Sequence, residues 1–100
     1  MNIIAVTACP TGVAHTYMAA ARLEKAAQRL GHAIKVETQG SMGIENRLSP
    51  DDIARADVVL LAAGVAVREA ERFAGKRVVE VPVQDAIKDP DRIVAGLGAP

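Results

Sequence analysis

Aromatic residues are almost missing from this chain. One tyrosine, one phenylalanine and no tryptophan occur among 100 residues. Tyr17 and Phe73 alone cannot form a stacking platform for nucleic-acid bases. An excess of one charge is missing too, because twelve basic side chains balance twelve acidic ones. Without a net field, nucleic acid and anionic membrane surfaces are not expected partners. Cysteine occurs once, which excludes an internal disulfide and a Cys-rich zinc site. It gives no sign of an oxidising compartment. No apolar run approaches the length needed to span a bilayer. The first residues lack the basic and apolar regions of a signal peptide. The expectation is a cytoplasmic domain with no direct membrane insertion, no metal and no cofactor.

What remains is ordinary for a globular protein. Apolar residues make up 50% and charged residues 24%, which argues against disorder. The length suits a single domain across residues 1–100. Its core must be Ala, Val, Ile and Leu, a set suited to helices packed closely on a sheet. There is no internal repeat. The closing Gly-Leu-Gly-Ala-Pro reads either as the start of a linker or as a fraying end.

The chain is organised around its first thirty residues. Ile3 to Val6 is a continuous apolar run bounded by a Pro/Gly loop, the signature of a strand buried on both faces. Pro10 biases Cys9 away from the helical region, so a helix begins near Thr11 to Val13. Val13, Tyr17, Ala20, Leu23, Ala27 and Leu30 recur on one helical face, and Gly31 follows as a natural terminator. Ala33 to Thr38 reads as a second, half-buried strand at an edge, followed by a Gln39 to Gly43 loop. Ser49-Pro50-Asp51-Asp52 opens a brief helix. Val58 to Ala62 is a central strand. Val67 to Phe73 looks helical and short, Arg77 to Val83 is a fourth strand, and the last helix is broken at Pro90. Alternating strands and helices predict a doubly wound, Rossmann-like α/β fold. It has a four-stranded parallel sheet, order 2-1-3-4, with helices on both faces and right-handed crossovers. A crevice then opens at the carboxyl ends of strands 1 and 3, with Cys9 in it.

A thiol there faces loop N–H groups and the positive end of a helix dipole. A loop with one glycine running into a helix can turn several N–H groups inward as a nest for an anion. An unperturbed thiol titrates near ~8.5, so ionisation at neutral pH needs a shift worth roughly 2.7 kcal/mol. A helix N-terminus contributes up to ~2 kcal/mol, and one hydrogen bond to a charged group ~1.5–3 kcal/mol. The helix and a bond from Thr16 therefore suffice, and no lysine or arginine stands between Thr7 and Ala21. The set expected to act is Cys9 as nucleophile, with Pro10, Thr11, Gly12, Val13, Ala14, His15 and Thr16 holding a phosphoryl group. His15 is open to two readings, a solvent-facing first-turn residue or a donor to that group. Tyr17 is expected in the core, and His32 on the surface.

Cys-x5-His-Thr also has the spacing of the low-molecular-weight tyrosine phosphatase loop, with His15 in place of the arginine that clamps phosphate. No carboxylic acid can be assigned to protonate a leaving group. Three classes stay open: a phosphoryl carrier, a small Cys-dependent phosphatase or arsenate-reductase-like enzyme, and a regulatory module that only displays Cys9.

Three segments, ACPTGVAHTYMAA, VETQGSMG and ERFAGK, resemble the fructose-type enzyme IIB domain of the bacterial sugar phosphotransferase system. The likeness runs from Ile3 to about Ile87. It implies a phosphotransferase component with a phosphocysteine intermediate. Cys9 would accept phosphoryl from a phosphohistidine of a fructose-type enzyme IIA, and Pro10 to Thr16 would be the phosphate loop. A sugar held by the membrane enzyme IIC, fructose or a relative, would then receive the group. The domain would be cytoplasmic and recruited to the inner face of the membrane through IIC. After strand 3 the family commonly has Ala-Asp-x-x-Val-Asp. This chain has Ala63-Gly64-Val65-Ala66-Val67-Arg68, a change expected to act on docking of IIA or IIC more than on chemistry.

Overall fold

A computed structural model describes residues 1–9, 13–41 and 43–98, without the side chain of Val13. Five strands form one sheet in the order β3-β2-β1-β4-β5. They are β1 (Asn2–Ala8), β2 (Ala33–Gly40), β3 (Gly43–Glu45), β4 (Val58–Ala63) and β5 (Val78–Val81). β1 lies between β2 and β4 and pairs with both in parallel, and β4 pairs with β5 in parallel. The order expected for the four parallel strands is therefore observed.

The fifth strand corrects the expectation of four strands with the second at an edge. Gly43 adopts φ +92°, a conformation open to glycine at little cost. The chain reverses there, and β3 pairs antiparallel with β2, Gly40 opposite Gly43 and Thr38 opposite Glu45. The segment expected as a loop is thus partly ladder.

Helices cover both faces. Helix α1 (Val13–Arg29) packs with α3 (Val83–Lys88) and α4 (Pro90–Leu97) on one face. The core there includes Ile3, Ala5, Leu23, Val36, Leu60 and Leu97. Helix α2 (Pro50–Arg55) and a 3₁₀ turn (Ala70–Phe73) lie on the other side, over Ile4, Val6, Val59, Leu61 and Phe73. The alternation of Ile3/Ala5 with Ile4/Val6 divides β1 between these two cores, as period two requires. Full burial of each such aliphatic side chain contributes about 1.5–3 kcal/mol.

The buried stripe of α1 is Thr16, Ala19, Ala20, Leu23, Ala26 and Ala27. Its small side chains let the helix sit close to the sheet. Two residues expected in that stripe face outward instead, with Tyr17 exposed by 41% and Leu30 by 43%. The Tyr17 hydroxyl donates to the Glu45 carboxylate on β3. The stripe is rotated toward Ala19 and Ala26 because alanine leaves more room than tyrosine at the closest approach.

Helix α2 starts as expected. The Asp52 N–H donates to the Ser49 hydroxyl at 3.1 Å, and the Ser49 N–H donates back to the Asp52 carboxylate at 2.8 Å, a reciprocal capping box. Lys35 donates to the same Asp52 oxygen at 2.7 Å. The Lys35 bond, then those from Ser49, hold the Asp52 carboxyl at about 2, below its usual 3.8. The Val67 to Phe73 segment forms only a 3₁₀ turn from Ala70, because Glu69 takes a left-handed φ of 59° immediately before it. β5 is shorter than the expected Arg77 to Val83, since Pro82 heads α3 instead. The break at Pro90 is present.

Candidate functional site

β1 ends at Ala8 between two parallel neighbours, where the strand order reverses, so a crevice forms beyond its carboxyl end. Cys9 is the next residue and is half-buried. The Thr7 hydroxyl donates to the Thr16 carbonyl at 3.0 Å, binding the strand end to the first turns of α1. Thr16 is buried, whereas Ala14 and His15 are exposed. The His15 Nδ1 lies 3.9 Å from the Cys9 Sγ. The structure thus brings Cys9 and His15 together and ties Thr16 to the adjoining strand end. Pro10, Thr11 and Gly12 lie outside the described residues, and only the backbone of Val13 is described.

The opposite wall comes from the end of β2 and the segment after β4, the loop expected near Cys9 and the stretch expected at the rim of its crevice. A cleft of ≈ 400 Å³ is lined by Cys9, by Gln39, Gly40 and Ser41 from the end of β2, and by Val65 and Arg68 after β4. The segment after β4 is held at both ends. The Gly64 N–H donates to the Ala8 carbonyl at 2.8 Å. The Gln39 amide meets the Arg68 backbone twice: its oxygen accepts from the Arg68 N–H at 2.7 Å, and its nitrogen donates to the Arg68 carbonyl at 3.1 Å.

Beneath that clasp lies a buried ion pair. Glu37 has no solvent exposure. Arg72 reaches its two oxygens with bonds of 3.0 and 2.9 Å, a bidentate geometry. The Leu48 N–H donates to the carboxylate at 2.9 Å and the Gln39 amide at 2.8 Å. Burial alone would push the Glu37 carboxyl up. The Arg72 guanidinium, the Leu48 N–H and the Gln39 amide outweigh it and hold the carboxyl below its usual 4.5. Glu37 in turn raises the Arg72 guanidinium against the opposing effect of burial. Arg72 also donates to the Glu69 carbonyl at 2.9 Å and lies 4.8 Å over the Phe73 ring. Glu69 pairs with Arg47.

Lys35, Glu37 and Gln39 alternate along one face of β2, and each has a partner across it. Three polar residues at every second position on a strand flanked by helices were the available signal. Among the described residues, no group of His, Cys, Asp and Glu is arranged to hold a metal ion. No helix among them is long and apolar enough to cross a membrane.

Fold and site together define a doubly wound α/β domain with a cysteine-bearing cleft at the carboxyl ends of its parallel strands. The family model described as "PTS system, Lactose/Cellobiose specific IIB subunit" matches residues 4–95. The chain belongs to this IIB family of the phosphotransferase system. It is 55% identical over 98 residues to the PTS system fructose-like EIIB component 2 of Escherichia coli K12, covering 98% of this chain and 92% of that one. It is 51% identical over 93 residues to the PTS system fructose-specific EIIABC component of Bacillus subtilis, covering 93% of this chain and 14% of that one. The solution structure of an enzyme IIB subunit from Escherichia coli K12 superimposes with a TM-score of 0.91 at 45% identity, covering 96% and 89% of the two chains. The likeness carried by the three sequence segments is borne out, and the chain is a component of a phosphotransferase system.

Proposed function

We propose that residues 1–100 form one phosphoryl-carrier domain, with Cys9 as the residue that carries the group. The observation that supports this best is the half-buried Cys9, placed in a cleft at the switch of strand order and beside the first turn of a 17-residue helix. In the first transfer the Cys9 thiolate attacks phosphorus of a phosphohistidine on a fructose-type enzyme IIA. The S–P bond forms as the N–P bond breaks, and the protonated imidazole ring leaves as neutral histidine with the N–P electron pair. In the second, a hydroxyl of a sugar held by membrane enzyme IIC attacks the same phosphorus. The O–P bond forms, the S–P electrons return to Cys9 as thiolate, and the hydroxyl proton passes to a base on IIC or to water. The sugar is fructose or a relative, and the domain works at the cytoplasmic face of the membrane.

Both steps are in-line displacements in which positioning and backbone donors contribute most. Pro10 to Thr16 form the phosphate loop, Thr16 stabilises the thiolate, and His15 donates to the bound group. Hydrolysis would need an acid to protonate a leaving group or a base to activate water. No carboxylate lines the cleft among the described residues. This favours a thiophosphate that persists until an acceptor arrives, over a phosphatase or an arsenate-reductase-like enzyme.

The test is labelling by a phosphorylated fructose-type IIA. The wild-type chain takes up one thiol-linked phosphoryl group, and Cys9→Ser and Cys9→Ala take up none. Labelling that persists in both variants overturns the assignment. Steady, Cys9-dependent turnover of para-nitrophenyl phosphate would instead select the phosphatase reading.

A further inference from the structure

The loop from Pro10 to Thr16 contains no lysine or arginine, yet the cleft holds an arginine. Arg68 lines it together with Cys9. The carboxylates nearest Arg68 in the chain and in the clasp are already engaged, Glu69 by Arg47 and Glu37 by Arg72. Among the described residues the Arg68 guanidinium makes no ion pair or hydrogen bond. Its backbone is fixed, because the buried Gln39 grips both the N–H and the carbonyl of residue 68. The stem of the side chain is therefore anchored at the rim while its charge is left uncompensated.

We infer that Arg68 binds the phosphoryl group carried on Cys9, supplying from across the cleft the guanidinium that the loop lacks. This rests on Cys9 being the carrier. A guanidinium presents a planar fork of donors that matches two phosphoryl oxygens and stays charged at every working pH. The thiolate carries one negative charge and the thiophosphate nearly two, so Arg68 favours the loaded state over the empty one. During transfer, charge spreads over the equatorial oxygens, where such a fork acts. The ligand class is a dianionic phosphoryl group on sulfur.

The experiment compares the full wild-type chain with Arg68→Gln and Arg68→Lys. The side chain is exposed and the Gln39 clasp uses only the backbone, so both variants keep the fold. The first readout, with no partner present, is the pH dependence of Cys9 alkylation by iodoacetamide. Arg68→Gln raises the apparent thiol pKa by about half a unit to one unit, and Arg68→Lys restores most of it. The second is single-turnover transfer from saturating phospho-IIA, which Arg68→Gln slows roughly tenfold or more. Unchanged alkylation and transfer overturn the inference. A defect that vanishes at saturating phospho-IIA, with alkylation unchanged, also overturns it and makes Arg68 a docking residue. If wild-type Cys9 takes no phosphoryl group from phospho-IIA, the carrier reading itself fails, while the alkylation profile still reports whether the Arg68 charge reaches the thiol.

Discussion

Replacing Arg72 by methionine isolates what the buried pair contributes. The substitution keeps most of the stem that packs by Phe73 and removes the guanidinium. Glu37 is then left with no cation and no access to water. Breaking a buried pair by removing one partner costs about 3–5 kcal/mol. The lower end applies here, because Glu37 keeps the Leu48 N–H and the Gln39 amide and the Arg72 side chain is 16% exposed. Against a total stability of about 5–15 kcal/mol, a loss near 3 kcal/mol is large. For a domain of this size it lowers Tm by about 12–24 °C. The pH dependence adds a second check. In the wild type the folded Glu37 carboxyl titrates below its unfolded value of 4.5. Its contribution is therefore complete above pH 4.5 and is lost as pH falls through the folded value. In Arg72→Met burial is no longer opposed by the guanidinium, so the folded carboxyl titrates higher than in the wild type and takes up its proton first as pH falls. The gap between the two proteins closes from pH 7 toward pH 4. Urea unfolding at both pH values measures it. A loss below about 1 kcal/mol at pH 7, or a gap that widens on acidification, would refute the reasoning.

Two further outcomes follow from the site and the caps. His15→Ala slows phosphotransfer to Cys9 about tenfold without abolishing it; an unchanged single-turnover rate would return His15 to the surface. In an NMR titration the Asp52 carboxyl shows a midpoint at about 2. Its contribution is present above pH 3.8 and fades as pH falls through that midpoint, so Asp52→Asn removes this part of the acid slope. An unshifted midpoint would contradict the Lys35 and Ser49 contacts.

Much of this fold is legible in the chain because local and global signals agree. The apolar runs of β1 and β4 mark central strands, Ser49-Pro50 starts a helix, and the alternation of elements forces parallel pairing. What escaped depends on contacts distant in sequence. β3 is only three residues long, too short for a periodic signal, and its pairing rests on the backbone freedom of Gly43. Tyr17 fits a helical stripe by spacing, but the stripe's rotation is set by how closely alanines approach the sheet. The Cys9 end of the site could be read from a strand, a proline and a helix start. Strand order also placed the segment holding Arg68 at the rim of that crevice, but not the clasp that fixes it there, since Gln39 and Arg68 lie 29 positions apart and meet only through the fold.

The two ends of the sheet bear on how such a domain behaves when crowded. An unpaired strand edge is a template for adding another chain, and long, flat, apolar edges drive aggregation. Here one edge is the three-residue β3, which ends in a glutamate and is followed by Asn46 at φ 53°. The other is the four-residue β5, with Glu80 exposed and Pro82 just beyond it. Neither offers a run long enough to nucleate intermolecular β-pairing. The domain can therefore be held at high local concentration, tethered to copies of itself or to a membrane protein, without its sheet being extended by a neighbour.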